Sequence, residues 1–268
     1  MTGRVSVLGI PIDALTRAEV RARCEQALAG GRLVHIVTAN PEILLRAQAD
    51  SAYATVLRQA DLVVADGAGV VLAAWMRDQP LPERFPGVEL LTEISQLAAG
   101  AGPTSPSGLP TSLFELRGTS RGAGKSVFLL GAQFGVAPDV AKHLQRDIPY
   151  LSVTAFVPEH DADDPPPELW AHLQKARPAV LFVAYGAPKQ EQWIAQHRQR
   201  LEELGVRIAM GVGGAFDILS GRLPRAPHWM RLLGLEWLWR LWLEPARLPR
   251  ILRATFVFPL MVLFENKS

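Results

Sequence analysis

Four short stretches of this chain place polar groups suited to a phosphorylated ligand at the ends of apolar runs. Thr38-Ala39-Asn40-Pro41 sets a hydroxyl and an amide beside the start of a helix, and Ala65-Asp66-Gly67-Ala68-Gly69 sets one carboxylate on a glycine turn. Tyr185-Gly186-Ala187-Pro188-Lys189-Gln190-Glu191 adds a cation, an amide and an acid. Gly211-Val212-Gly213-Gly214-Ala215-Phe216-Asp217 is a glycine loop closed by an acid. Glycine lets backbone approach a ligand closely, and helix N-termini favour phosphate. A nucleotide or sugar nucleotide is therefore the expected ligand class, although Gly-Val-Gly-Gly alone also serves ordinary turns. Asp66 reads either as a general base or as a cap for the helix that follows.

Those stretches need a scaffold. Short β-rich runs alternate with longer helical patterns, which predicts an α/β fold with a Rossmann-like, mostly parallel sheet covered by helices. Strands are expected over Val5–Ile10, Leu33–Thr38, Leu62–Ala65, Ser126–Gly131, Ser152–Val157, Ala179–Tyr185 and Arg207–Gly211. In open sheets of this kind ligands bind outside the carboxyl ends of the strands, where all four stretches fall. Thr16 with Glu19 forms a capping box before an amphipathic run to Ala29. Asn40-Pro41 is an N-cap with proline at the first helical position. Further helices are expected over 69–76, 87–99, 137–146, 167–176 and 189–204, with two more segments within 227–264. The Gly-, Pro-, Ser- and Thr-rich stretch Gly102–Gly124 fits none of these; it reads as a functional lid or, as its composition favours, a disordered insert.

A hydrophobic content of 49% supports a substantial core and argues against disorder. The single cysteine, Cys24, lies in a helical pattern and reads as a small core residue. Six scattered histidines show no metal-ligand spacing, so neither a metal nor another cofactor is expected. The first ten residues lack the apolar run of a signal peptide, which points to the cytoplasm.

The last part of the chain differs in kind. Arg222 to Arg253 holds seven arginines against two carboxylates, a net of +5, and four of the seven tryptophans. Guanidinium pairs with phosphate, and indole sits well at the headgroup level of a bilayer. Ala254 to Phe264 is uncharged but only eleven residues long, whereas a membrane-spanning helix needs roughly 17–25. The tail reads as an interfacial anchor, with about 1 kcal/mol of attraction per surplus cation near an anionic leaflet. Charge mixed with a long apolar end argues against nucleic acid as the partner. Residues 1–221 are thus expected to form the catalytic domain, with the insert at 102–124, and residues 222–268 a membrane-facing helical appendage.

Taken in order, several motifs resemble the WecG/TagA/CpsF glycosyltransferase family: Thr38-Ala39-Asn40-Pro41-Glu42, Ala60 to Gly67, and Pro80-Leu81-Pro82-Glu83-Arg84 before Gly87. So do Gly186 to Glu191, Gly211 to Asp217, Arg225-Ala226-Pro227, Gly234 to Leu238, and Arg240…Glu244-Pro245-Ala246-Arg247…Arg250. The insert departs from the pattern, since family members usually pass there directly from helix to strand. The resemblance implies inverting, metal-independent transfer of an N-acetylmannosamine-type sugar from a UDP donor. The implied acceptor is undecaprenyl-diphosphate-linked GlcNAc at the cytoplasmic leaflet. Asp66 matches the family's proposed general base, and Arg84 a residue near the transferred group. Thr38, Asn40 and Gln190 match pocket residues, and Gly67, Lys189, Gly211, Gly213, Gly214 and Asp217 fall in the same substrate-binding motifs. Arg225, Arg240, Arg247 and Arg250 are expected to face the diphosphate or the membrane, the last three matching family arginines thought to reach a diphosphate. Asp161-Ala162-Asp163 has the spacing of a metal-binding pair but reads as a solvated loop. Two rivals stand beside this reading. One is a dinucleotide-dependent oxidoreductase, weakened because its glycine loop lies at the last strand; the other is a non-catalytic sugar-nucleotide sensor. Homo-oligomerisation is left open.

Overall fold

The computed structural model describes residues 3–100, 124–158 and 165–265. The expected insert and the Asp161–Asp163 pair lie outside these residues, apart from Gly124. Two strands, β1 (Arg4–Val7) and β2 (Ile10–Asp13), form an antiparallel hairpin. Six more make one parallel sheet: β3 (Val34–Ala39), β4 (Leu62–Ala65), β5 (Val127–Gly131), β6 (Val153–Phe156), β7 (Val180–Ala184) and β8 (Ile208–Gly211). Their order across the sheet is β4-β3-β8-β7-β5-β6. The runs LVVA, VFLLG and IAMG are buried throughout, as strands covered on both faces must be. The α/β class with a helical C-terminal part is as the sequence pattern predicts.

The first expected strand needs correction. Val5–Ile10 is not one strand of the sheet, because the chain reverses at Leu8 (φ +50°) and Gly9 (φ +68°) and pairs Val7 with Ile10. Two consecutive positive φ values make the tight turn whose twist suits a hairpin. Leucine in the first of those positions hides the turn from a reading based on Asn and Gly.

Helices α1 (Arg17–Leu28), α2 (Pro41–Ala49), α3 (Ser51–Gln59), α4 (Ala68–Met76) and α5 (Gly87–Ala98) occupy the first half. Thr16 and Glu19 close the expected capping box, and Asn40 Oδ1 accepts from Ile43 N–H at 3.0 Å. Sequence reasoning missed α3, which Asp50 caps by accepting from Tyr53 N–H. The second half carries α6 (Val136–Asp147), α7 (Pro167–Ala176), α8 (Lys189–Gln196), α9 (Arg198–Glu203) and α10 (Ala215–Leu219). The single helix expected over 189–204 is therefore two, divided at His197, whose ring packs against Trp170 and Trp193. The tail is more broken than expected. It holds α11 (His228–Leu232), α12 (Glu236–Leu243), a 3-10 turn, α13 (Leu248–Leu252), a π-helical segment and α14 (Phe258–Phe264).

One sheet face packs on α1, α5, α6 and α10 through residues such as Cys24, Ile94, Val140 and Phe216. The other carries the hairpin, α2, α3 and α4, and then α7 to α9. Phe258 and Val262 of the tail are enclosed in the hairpin side of that face. At about 2 kcal/mol for each fully buried side chain, they tie the end of the chain firmly to the body. Beyond them, Leu8 and Gly9 donate backbone N–H groups to the Glu265 carboxylate at 2.9 and 3.0 Å, and Arg77 pairs with it at 2.9 Å.

Candidate active site

Topology does most of the assembly. The four stretches singled out by sequence follow β3, β4, β7 and β8, which stand side by side in the order β4-β3-β8-β7. Their carboxyl ends therefore share one edge.

Asp66 is the first residue beyond β4. The register pairs Ala39 with Ala65, and Asp66 N–H continues it by donating to the Ala39 carbonyl at 2.8 Å. Phe85 N–H donates to the Ala65 carbonyl at 2.7 Å, which draws Arg84 and Gly87 against the same turn. Gly67 caps α4 without a side-chain bond, so Asp66 is not the cap of the helix that follows it. Its Oδ1 instead accepts the Gly87 N–H at 3.3 Å, at the start of α5. Burial pushes the carboxyl up to about 6. The Gly87 bond opposes that rise, Glu236 adds to it, and the positive charges of Arg240 and Arg84 oppose it. The balance keeps a carboxylate available near neutral pH yet basic enough to take a proton.

Thr38 is buried, and a methyl group on Gly87 would stand 3.5 Å from its Oγ1 and 3.7 Å from Asp66 Oδ2. The bare α-carbon thus leaves the space beside both polar atoms open. Asn40 spends its carbonyl on the α2 cap. Gly69 admits the Pro41 ring, since an added Cβ would lie only 2.8 Å from Pro41 Cγ.

The tail closes over this turn. Gly234 (φ +70°) passes so near that a Cβ there would sit 2.6 Å from Ala68 Cβ. Arg84 reaches Glu236 at 3.3 Å and donates to the Arg231 carbonyl at 3.2 Å. Arg240 lays its guanidinium on Gly214, 3.3 Å from where a Cβ would be, and its charge acts on both Asp66 and Asp217. Arg247 pairs with Glu244 at 2.9 Å and also acts on Asp217. Burial holds the Asp217 carboxyl above its ordinary range, with Glu244 adding to the effect and these arginines opposing it.

The β7 and β8 loops meet at Gln190, which is buried. Its Oε1 accepts from Gly186 N–H at 3.1 Å and Gly213 N–H at 3.0 Å, while its Nε2 donates to Glu191 at 2.7 Å. The amide is thus engaged within the protein. Gly211 provides the room, because a Cβ there would lie 2.7 Å from Gln190 Nε2. Lys189 is half-buried at the start of α8.

Asp66, Thr38 and Arg84 are brought together around Gly87, and Arg240 joins them to Gly214 and Asp217. Arg225 lies off this centre, bonded to Glu89 at 2.6 Å. Arg250 is exposed on α13. Sequence reasoning assigned no role to Glu89, Glu191, Glu236, Glu244 or Tyr53. Glu191, Glu236 and Glu244 stood inside motifs already singled out, whereas Tyr53 sits on the helix that was missed. Among the described residues no three His, Cys, Asp or Glu side chains are grouped to hold a metal ion.

The model of the Glycosyl transferase WecG/TagA/CpsF family matches residues 5–105 and 110–268. Two curated relatives are called N-acetylglucosaminyldiphosphoundecaprenol N-acetyl-beta-D-mannosaminyltransferase, from Staphylococcus aureus strains MRSA252 and NCTC 8325. Each is 32% identical over 253 residues, covering 93% of this chain and 89% of the relative. With Asp66 at the sheet edge and the arginine-rich tail folded against it, the chain belongs to the WecG/TagA/CpsF glycosyltransferase family.

Proposed function

We propose that this glycosyltransferase moves an N-acetylmannosamine-type sugar from a UDP donor to GlcNAc carried on undecaprenyl diphosphate. Transfer inverts the anomeric centre and uses arginines in place of a metal ion. The observation that carries the proposal is Asp66, a carboxylate raised to about 6 at the carboxyl edge of the sheet and faced by Arg84 and Arg240. In the reaction the acceptor hydroxyl gives its proton to Asp66 while its oxygen bonds to the anomeric carbon. The bond from that carbon to the UDP oxygen breaks, and the electron pair leaves with the diphosphate. Charge therefore grows on the diphosphate, where Arg240 and Arg247 supply positive charge and bidentate donors. Glu236, now paired with Arg84, and Glu244, now paired with Arg247, neutralise those two arginines until an anionic substrate replaces them.

Residues 222–268 act, in this reading, as an appendage that completes the site and rests on the anionic inner face of the cell membrane. Twelve of the sixteen large apolar side chains exposed among the described residues lie between Trp229 and Phe264, which favours this surface as the lipid-facing one. Trp229, Met230, Leu238, Trp239, Leu241 and Trp242 line an open apolar groove of about 510 Å³ there. No helix among the described residues is long and apolar enough to cross a membrane. The test is transfer from a panel of UDP-sugars to a short-chain GlcNAc-diphosphate lipid with EDTA present. Transfer from one donor with inverted product supports the proposal; UDP-sugar binding without transfer would replace it with the sensor reading.

A further inference from the structure

Glu191 is a buried acid with no part in the proton transfer just described; its exposure is 1%. Its carboxylate accepts from Gln190 Nε2 at 2.7 Å and from Tyr53 Oη–H at 3.0 Å. On the other side of Gln190, two backbone donors from separate strand-end loops converge on one amide oxygen. These bonds run in one direction only. Gly186 N–H and Gly213 N–H demand an acceptor, so the amide oxygen must face them, and the amide nitrogen then needs an acceptor of its own. Glu191 supplies it, and Tyr53 holds Glu191. Turned over, the amide would set its NH2 against two N–H groups and leave buried donors without an acceptor. Gly211 makes room for the Gln190 side chain, since a Cβ there would lie 2.7 Å from its Nε2.

We propose that Glu191, held by Tyr53, is a positioning residue for sugar transfer. It fixes the orientation of the Gln190 amide and so ties the loops after β7 and β8 into one donor-binding edge. The inference rests on the proposed role of the Gly211–Asp217 loop in holding the sugar nucleotide. Burial pushes the Glu191 carboxyl up to about 7, against the bonds from Gln190, its own backbone N–H and Tyr53, all of which favour the ionised form. Three donors aimed at one carboxylate leave a proton on it poorly placed, so the arrangement is built for an acceptor.

The full-length protein is compared with Glu191→Leu, Glu191→Gln and Tyr53→Phe, reading donor and acceptor KM, kcat and amide hydrogen exchange. Glu191→Leu is expected to raise the donor KM about tenfold or more and leave the acceptor KM unchanged, since a small misplacement weakens only what the loops hold. Exchange should quicken at Gly186 and Gly213 while the strands stay protected. Glu191→Gln should stay within about threefold of the parent, because its oxygen still accepts from Gln190 and its NH2 donates to Tyr53. A folded Glu191→Leu protein with unchanged donor KM and unchanged exchange at those two amides overturns the inference. Should exchange quicken throughout that variant, Tyr53→Phe decides: a local increase at Gly186 and Gly213 supports the tie, and none overturns it. A parent protein that transfers no sugar would count against the proposed reaction, whereas exchange at these amides reads the tie itself.

Discussion

The strand-end loops and the arginine tail meet at Asp66, but they are held in opposite ways. In the loops the polar groups bond to backbone: Asn40 caps α2, and Gln190 gathers Gly186 and Gly213. In the tail several arginines are held by carboxylates, with Arg225 on Glu89 and Arg247 on Glu244, and Glu236 of the tail reaches Arg84 of the body. Each of these bonds ties a side chain to the backbone at a strand end and fixes that segment within the fold. A half-exposed arginine–carboxylate pair is worth about 0–1 kcal/mol and can exchange its anion. In the proposed reaction the loops would serve as a preformed cradle and the tail as a set of cations able to change partners.

Substitutions can break this contrast. Arg240→Ala removes the cation that lies beside Gly214 and whose charge acts on Asp66 and Asp217, and is expected to lower kcat by about 10²–10³-fold. Membrane binding should hold, and a vesicle co-sedimentation assay beside the rate measurement checks both. Acidity is expected to act through Asp66. With its carboxyl near 6, kcat/KM should fall about tenfold for each pH unit below that value and level off above it. A flat profile from pH 5 to 8 would contradict a base of that strength. Stability runs the other way. Asp66 and Glu191 are both raised above their ordinary values, so their contribution is full at low pH and is lost as pH climbs through about 6 and 7. Asp66→Asn should accordingly raise the melting temperature at pH 8 by roughly 2–4 °C, measured by calorimetry.

Smaller effects sharpen the contrast on the face proposed to meet lipid. Trp237→Ser with Trp242→Ser removes two exposed indoles and should weaken binding to anionic vesicles by about tenfold, with transfer to a soluble short-chain acceptor unchanged. Glu265→Gln loosens the tail's last anchor, at about 1–2 kcal/mol for its charged bonds. Urea denaturation would register that loss, and kcat should move less than twofold if Phe258 and Val262 still hold α14.

Much of the site was legible because its signals are local. Asp66 before glycine, Asn40 before proline and the Gly211–Asp217 loop mark strand ends by residue type alone. The α/β alternation then predicted which edge they share, and the order β4-β3-β8-β7 confirms it. Partnership was not legible. Nothing near Gln190 in sequence says that its amide is spent on Gly213, twenty-three residues away, or that Tyr53 backs Glu191 across 138 residues. The hairpin was hidden by Leu8, which holds positive φ under the Glu265 carboxylate rather than by intrinsic preference. The break at Gly234 was equally obscure, since that glycine answers to its close approach to Ala68 of the body as much as to its neighbours in sequence.

The most direct measurement is single-turnover transfer by Asp66→Asn, with UDP affinity taken on the same sample. Loss of transfer by about 10³-fold or more, with UDP binding within about threefold of the parent, is the expected result for a general base that does not bind the donor. Transfer within tenfold of the parent would contradict the account, and the proton would have to leave through another group.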